Sequence, residues 1–137
     1  MAPRARVVSF IEDVAAALAG ADLVIARAGA SSVAELCAVG RASILIPFPF
    51  AADDHQSRNA RSLEDAGAAI ALAQAEATPE RLAAEITALA SDPDRRARMA
   101  RAARGLGRPD AARAVALDLL DLAAGHAHRA PHVREAC

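Results

Sequence analysis

The chain has no lysine, no tryptophan and no tyrosine, and three phenylalanines in 137 residues. Without lysine there is neither a P-loop cation nor a Schiff-base nucleophile. Without Trp or Tyr there is no ordinary platform for stacked nucleic-acid bases. A net charge of -1 gives no basic field to attract a phosphate backbone. The two cysteines, Cys37 and Cys137, form neither a zinc pattern nor a disulfide framework, so a reducing cytoplasm is the expectation. No apolar run reaches the roughly 18 residues of a membrane span. Met1-Ala2-Pro3-Arg4-Ala5-Arg6 leads into no apolar stretch long enough for a signal peptide.

What is present is alanine and arginine. The hydrophobic fraction of 54% argues against disorder, although much of it is Ala. All 16 basic residues are Arg, which points to a GC-rich genome. The length suits one domain with a real core.

Val7 to Phe10 reads as a short strand. Glu12 to Leu18 reads as a helix stopped by Gly20. Leu23 to Ala26 reads as a buried strand. Ser32, with Glu35 three residues on, has the pattern of a capping box and predicts a helix to about Val39, stopped by Gly40. Ser43 to Ile46 reads as a strand closed by Pro47 and Pro49. Asp54 to Ala66 reads as a helix with Asp53 or Asp54 at its N-cap, and Ala69 to Leu72 as a weak fourth strand. Thr78-Pro79 and Asp92-Pro93 are helix starts, and Pro109 opens a last helix to about Ala123. From Gly125, with His126, His128 and His132, no periodicity remains and a loose tail is expected. Strands alternating with helices predict an α/β fold, a Rossmann-like parallel sheet flanked by helices, with helices only in the last third.

The chemistry is concentrated after two strands. Asp22-Leu23-Val24-Ile25-Ala26 opens through Arg27-Ala28-Gly29-Ala30-Ser31-Ser32 onto a helix carrying Glu35. A small turn of this kind leaves helix-start N–H groups bare, which suits a phosphate or diphosphate. Gly29 permits close approach and a positive φ. Taken alone, the turn also reads as a plain N-cap, and Glu35 as no more than the capping partner of Ser32. The second block is Ile44-Leu45-Ile46-Pro47-Phe48-Pro49, then Asp53-Asp54-His55-Gln56-Ser57-Arg58-Asn59-Ala60. Gln56 offers both a donor and an acceptor to sugar hydroxyls, but a Gln on a helix is usually only solvated. Asp53-Asp54-His55 hints at a metal, and an N-cap is the simpler reading. Asn59 reads as a tie between helix and loop. Arg27 either balances a diphosphate or pairs with a carboxylate. Arg95, Arg96, Arg98, Arg101 and Arg104 read as a solvated basic face, with an anionic membrane surface as the second reading.

Ser9-Phe10-Ile11-Glu12-Asp13, Arg27 to Glu35, and Pro47-Phe48-Pro49 through Asp53-Asp54-His55-Gln56 to Asn59-Ala60 stand in order and spacing. Together they resemble the MurG family, the N-acetylglucosaminyltransferases of peptidoglycan synthesis. The resemblance covers roughly Val7 to Ala90, and more weakly the helices after it. Ala28 and Ser32 stand where that family more often has Ser and Thr.

The resemblance implies a UDP-N-acetylglucosamine donor domain over residues 1–124, the C-terminal half of a two-Rossmann-domain inverting glycosyltransferase, with residues 125–137 as a disordered tail. It implies uracil against Phe10 and the Ile11 backbone. It implies diphosphate or sugar at Gly29, Ala30, Ser31 and Ser32, ribose hydroxyls on Glu35, and the N-acetylglucosamine at His55 and Gln56. No cofactor and no metal are expected.

The implied acceptor is a lipid-linked muramoyl-pentapeptide (lipid I to lipid II), at the cytoplasmic face of the inner membrane. The enzyme would be peripheral there and would serve cell wall synthesis, cell division and cell shape. The acceptor domain and a Gly-rich turn of that family do not precede Val7, so the expectation is a truncated or split gene or a misassigned start. No residue reads as a catalytic base, and the chain alone is expected to be inactive. The alternative is a non-catalytic donor-binding subunit, or a remnant of another UDP-glycosyltransferase. A nucleic-acid binder built on the Arg-rich helix is the weakest reading.

Overall fold

The computed structural model describes residues 5–50 and 52–124. Three parallel strands, β1 (Val24–Ala26), β2 (Ser43–Leu45) and β3 (Ala69–Ala71), lie in the order β1-β2-β3. Six α-helices surround or follow them: α1 (Val14–Gly20), α2 (Ala30–Val39), α3 (His55–Asp65), α4 (Pro79–Ala90), α5 (Pro93–Leu106) and α6 (Ala111–Ala123). The α/β, Rossmann-like expectation therefore holds.

Register explains the layering. Ile25, Ile44 and Ile70 are paired across the sheet and share one face. Ile44 and Ile70 meet Leu82 and Leu89 of α4 and Met99 of α5 there. The opposite face carries small residues around one large one. Val24, Ala26, Ser43, Leu45, Ala69 and Ala71 alternate onto it. Leu36 and Cys37 of α2, and Ala60 and Leu63 of α3, pack against that face. Burial pushes the Cys37 thiol above its ordinary pKa. The Ser43 hydroxyl is wholly buried and makes no hydrogen bond.

Helix starts follow local chemistry. Asp13 caps α1 by accepting from Ala16 N at 2.8 Å. Thr78 accepts from Arg81 N, and Asp92 from Arg95 N, each with Pro next in sequence. Helix ends are closed by arginine. Arg41 Nε donates to Leu18 O at 2.9 Å, and its NH2 to Ala19 O, at the end of α1. Arg104 NH2 donates to Val39 O at 2.7 Å, at the end of α2. Arg96 NH1 donates to Leu89 O and Ala90 O at the end of α4. A cation on the last carbonyls satisfies them and suits the negative end of the helix dipole. Arg96 and Arg104 are thus internal caps rather than part of a uniformly solvated face.

Several expectations are corrected. Residues 7–10 form no strand, and Val7 is 95% exposed. A strand exists only where a ladder pairs it, and no strand among the described residues lies beyond β1. The described sheet therefore has three strands, not four. The strand read as buried at Leu23 to Ala26 is partly open, with Ile25 44% exposed, because α4 and α5 cover Ile44 and Ile70 but not Ile25. Gly20 is the last residue of α1 rather than its stop, and Ala21 caps. The last helix begins at Ala111, two residues beyond Pro109.

The described residues up to Gly107 form one compact unit. The second unit starts at Arg108, and its described part holds α6, with Val115, Leu119, Leu120 and Leu122 exposed. The histidines read as a loose tail lie outside the described residues. Among the described residues no helix is long and apolar enough to cross a membrane.

Candidate functional site

In a parallel sheet with crossover helices, the crevice beyond the carboxyl ends of the strands is where ligands bind. Here β1 feeds α2 and β2 feeds α3, so two helix N-termini stand over neighbouring strands at that edge.

The first is open. Gly29 is the N-cap of α2 and no side chain caps the helix. Val33 N donates to Gly29 O at 3.0 Å, the first helical bond. Ala30, Ser31 and Ser32 therefore carry the orphan N–H groups of the first turn. Gly29 itself has φ -66, so no positive φ is required; a Cβ built there would meet nothing within 4 Å. The expected positive φ is corrected, and what remains for Gly29 is the open space above it.

This start also removes the predicted capping box. Ala30 is already helical, so Ser32 lies in the first turn and cannot be the cap. Three residues of spacing matched the box, but the helix and its cap begin three residues earlier than the box implied. Glu35 is left in the middle of α2, exposed, with no hydrogen-bond or ion-pair partner among the described residues. Its purely structural role is gone.

The second terminus is held differently. The chain runs from β2 through Pro47 to Phe50 and reaches α3 by a 3-10 turn at Ala52–Asp54. Asp53 and Asp54 both have φ 52, two left-handed residues in succession. Asp tolerates that region better than most residues, but two together mark a strained turn. Asp54 stands at the N-cap of α3, as one of the two aspartates was expected to, but its side chain makes no capping hydrogen bond, because its left-handed backbone does not take the extended cap conformation. Arg58 NH2 donates to Asp53 O at 2.8 Å and braces the turn. His55 is exposed and Gln56 half-buried at the start of α3. Gln56 Oε1 accepts from Phe48 N at 2.9 Å, and its Nε2 makes no hydrogen bond among the described residues. Asn59 Nδ2 donates to Ala28 O at 3.0 Å and ties α3 to the α2 turn, as its reading as a tie anticipated.

Of the two readings of Arg27, the carboxylate pair is not formed among the described residues. Arg27 NH1 donates to Ile46 O and Pro47 O, both at 3.2 Å, and to Gln74 Oε1 at 2.7 Å. Its guanidinium lies 5.7 Å from the Phe48 ring centroid. Sequence reasoning missed Gln74, and no local spacing signals a partner 47 positions away.

The structure thus gathers Gly29, Ala30, Ser31, Ser32, His55 and Gln56 at one edge of the sheet. Phe10 and Ile11 are not joined to them. They lie ahead of α1, Phe10 77% exposed, and line a hollow with Arg6, Val8 and Glu12 alone. A second hollow, between Pro47, Pro49, Ser57, Arg61 and Gln74, opens beside the α3 start.

Comparison with known proteins follows this geometry. Residues 2–115 match the model of the glycosyltransferase family 28 C-terminal domain. A protein of Sorangium cellulosum (strain So ce56) is 66% identical over 130 residues, 95% of this chain and 32% of its own length. It is named UDP-N-acetylglucosamine–N-acetylmuramyl-(pentapeptide) pyrophosphoryl-undecaprenol N-acetylglucosamine transferase. A protein of the same name in Alkalilimnicola ehrlichii (strain ATCC BAA-1101 / DSM 17681 / MLHE-1) is 59% identical over 107 residues, 78% of this chain and 30% of its own. The crystal structure of Acinetobacter baumannii MurG superposes with a TM-score of 0.77 at 42% identity, over 85% of this chain and 33% of that one. The chain therefore spans about a third of the length of the relatives it matches.

Proposed function

The chain belongs to the glycosyltransferase family 28 C-terminal domain family, and from that premise we propose that it is the donor-binding part of an inverting N-acetylglucosaminyltransferase. Its donor is UDP-N-acetylglucosamine. Its reaction, completed with an acceptor-binding domain, carries N-acetylglucosamine to lipid-linked muramoyl-pentapeptide, lipid I to lipid II. The site of action is the cytoplasmic face of the membrane, where the enzyme is peripheral. The observation that carries this reading is the open α2 terminus with Glu35 one turn on, released from any capping duty.

In this proposal the orphan N–H groups of Ala30, Ser31 and Ser32 hold the diphosphate. They also stabilise the charge that grows on it as the sugar C1–oxygen bond breaks. Glu35 accepts hydrogen bonds from the two ribose hydroxyls, a charge-assisted arrangement. Gln56 Nε2 donates to an oxygen of the sugar, with His55 beside it. Phe10 and the Ile11 backbone take the uracil, and their exposure leaves them available for it. The acceptor hydroxyl attacks C1 from the face opposite the leaving UDP, so configuration inverts. The base that receives its proton is assigned to the acceptor domain, as the family resemblance implies.

Calorimetric titration with UDP-N-acetylglucosamine, UDP-glucose and GDP-mannose tests the proposal. Preference for the first is the expected result. Equal binding of both UDP-sugars would favour a donor subunit of another UDP-glycosyltransferase. A folded chain that binds none of the three would overturn the reading.

A further inference from the structure

The three loops at the carboxyl edge of the sheet are joined by one side chain. Arg27 leaves the end of β1, reaches the carbonyls of Ile46 and Pro47 beyond β2, and meets Gln74 in the 3-10 turn Gln74–Glu76 beyond β3. Its NH1 has two hydrogens for three acceptors, so one hydrogen is shared. The 2.7 Å contact to Gln74 is the shortest of the three and fixes the direction of the guanidinium.

Farther along, Arg58 braces the loop that Arg27 holds, at Asp53 O. Phe48 and Phe50 are exposed, their rings in an edge contact at 5.7 Å. The loop then enters the left-handed pair Asp53 and Asp54. Apart from Arg27, its side-chain tie near β2 is Phe48 N to Gln56 Oε1. The contacts thus run without a break from Gln74 through Arg27 and the Ile46–Pro47 carbonyls to Phe48 and Gln56.

We propose that Arg27 and Gln74 form a positioning latch that sets the height of the Pro47–Phe48 segment and, through the Phe48 amide, the orientation of Gln56. This rests on the donor-site reading above, in which Gln56 meets the sugar. The latch also orients the Gln56 carboxamide: with Oε1 accepting from Phe48 N, Nε2 is the group without a bond among the described residues. Arg27 acts on the sugar through Gln56 and does not need to touch the donor. Arg27 and Gln74 should then matter together, and for the sugar part of the donor rather than for UDP.

Two measurements test it, on Arg27→Met, Gln74→Ala and the double variant. The first needs no ligand. Amide exchange across residues 46–56 should rise about tenfold in each single variant, a change of the size expected for one lost hydrogen bond to a charged group. Unchanged exchange overturns the latch, whatever the chain binds. The second compares UDP with UDP-N-acetylglucosamine by calorimetry. Each single variant should bind the sugar nucleotide about tenfold more weakly and UDP within about twofold of the parent, and the double variant should lose no more than either single. Equal loss for both ligands in Arg27→Met, with Gln74→Ala unaffected, overturns the latch in favour of a direct diphosphate contact. A parent chain that binds neither ligand removes the donor-site reading, and amide exchange alone then decides the latch.

Discussion

The two ends of the short sheet are built on opposite principles. At the amino ends of the strands the backbone is closed. Arg41, Arg96 and Arg104 cover the last carbonyls of α1, α4 and α2. Gly40 turns there at φ 68, and a Cβ on it would lie 2.8 Å from Arg104 Nε. Met99 and Ala103 of α5 are buried in the two core clusters. At the carboxyl ends the backbone is open. α2 and α3 start without side-chain caps, two aspartates sit left-handed, and Glu35 is exposed without a partner among the described residues. Helix termini are capped at one edge, and helix-start N–H groups stay uncapped at the other. Uncapped termini cost stability wherever they stand, so the proposed donor site would account for their being kept open.

The separation is broken most severely from the closed side. Leu89 is fully buried at the end of α4, against Ile44 and Leu72. Leu89→Ala should cost about 2–5 kcal/mol of stability, read by chemical denaturation, as large-to-small core changes do. The remaining folded fraction should bind nucleotide as tightly as the parent. A loss of affinity without loss of stability would mean that the two edges are not independent.

From the open side, Glu35→Ala should leave the melting temperature in place and weaken UDP binding by roughly 1.5–3 kcal/mol, the range for a hydrogen bond to a charged group. Ala is a good mid-helix residue and Glu35 caps nothing, so no structural penalty opposes the change. If stability falls and affinity does not, the carboxylate serves the fold and the open edge loses its main argument.

How far the sequence showed this division depends on the range of the forces involved. The helix starts at Thr78-Pro79 and Asp92-Pro93 were legible because a cap, a proline and a first turn are all local. So was the strand–helix alternation, which alone implies a parallel sheet. The capping box at Ser32 and Glu35 misled because spacing is necessary but not sufficient. The helix took Ala30, Ser31 and Ser32 as well, and Gly29 became the cap. The strand at Val7 to Phe10 misled because β propensity reports a side chain that suits a sheet, not the presence of a partner strand. Arg27, Arg41 and Arg104 were beyond reach for another reason. Their acceptors lie 19 to 65 positions away, and nothing in the surrounding residues names a distant carbonyl.

A smaller effect sharpens the same contrast. Arg104→Ala removes the donor to Val39 O, and also contact beside Gly40. The hydrogen bond is exposed, so screening trims its value, and a loss of about 0.5–1 kcal/mol is expected with UDP affinity unchanged. Gln74→Ala, at the other edge, should show the reverse: affinity for the sugar nucleotide falls and the melting temperature stays.

The smallest effect concerns a group that fits neither edge. Ser43 opens β2 at the closed end, yet its hydroxyl is buried beneath α2 and α3 without a partner. Val24 and Ala69 flank it in the register, and neither side chain offers an acceptor. A hydroxyl kept from water with no hydrogen bond is a cost, and its removal leaves a hole no larger than one oxygen. Ser43→Ala should therefore be neutral or more stable by about 1 kcal/mol, measured by the midpoint of chemical denaturation. A clear loss of stability would show that the hydroxyl has a partner in solution. The closed edge would then hold a polar contact of its own, and the contrast between the two ends would be one of degree.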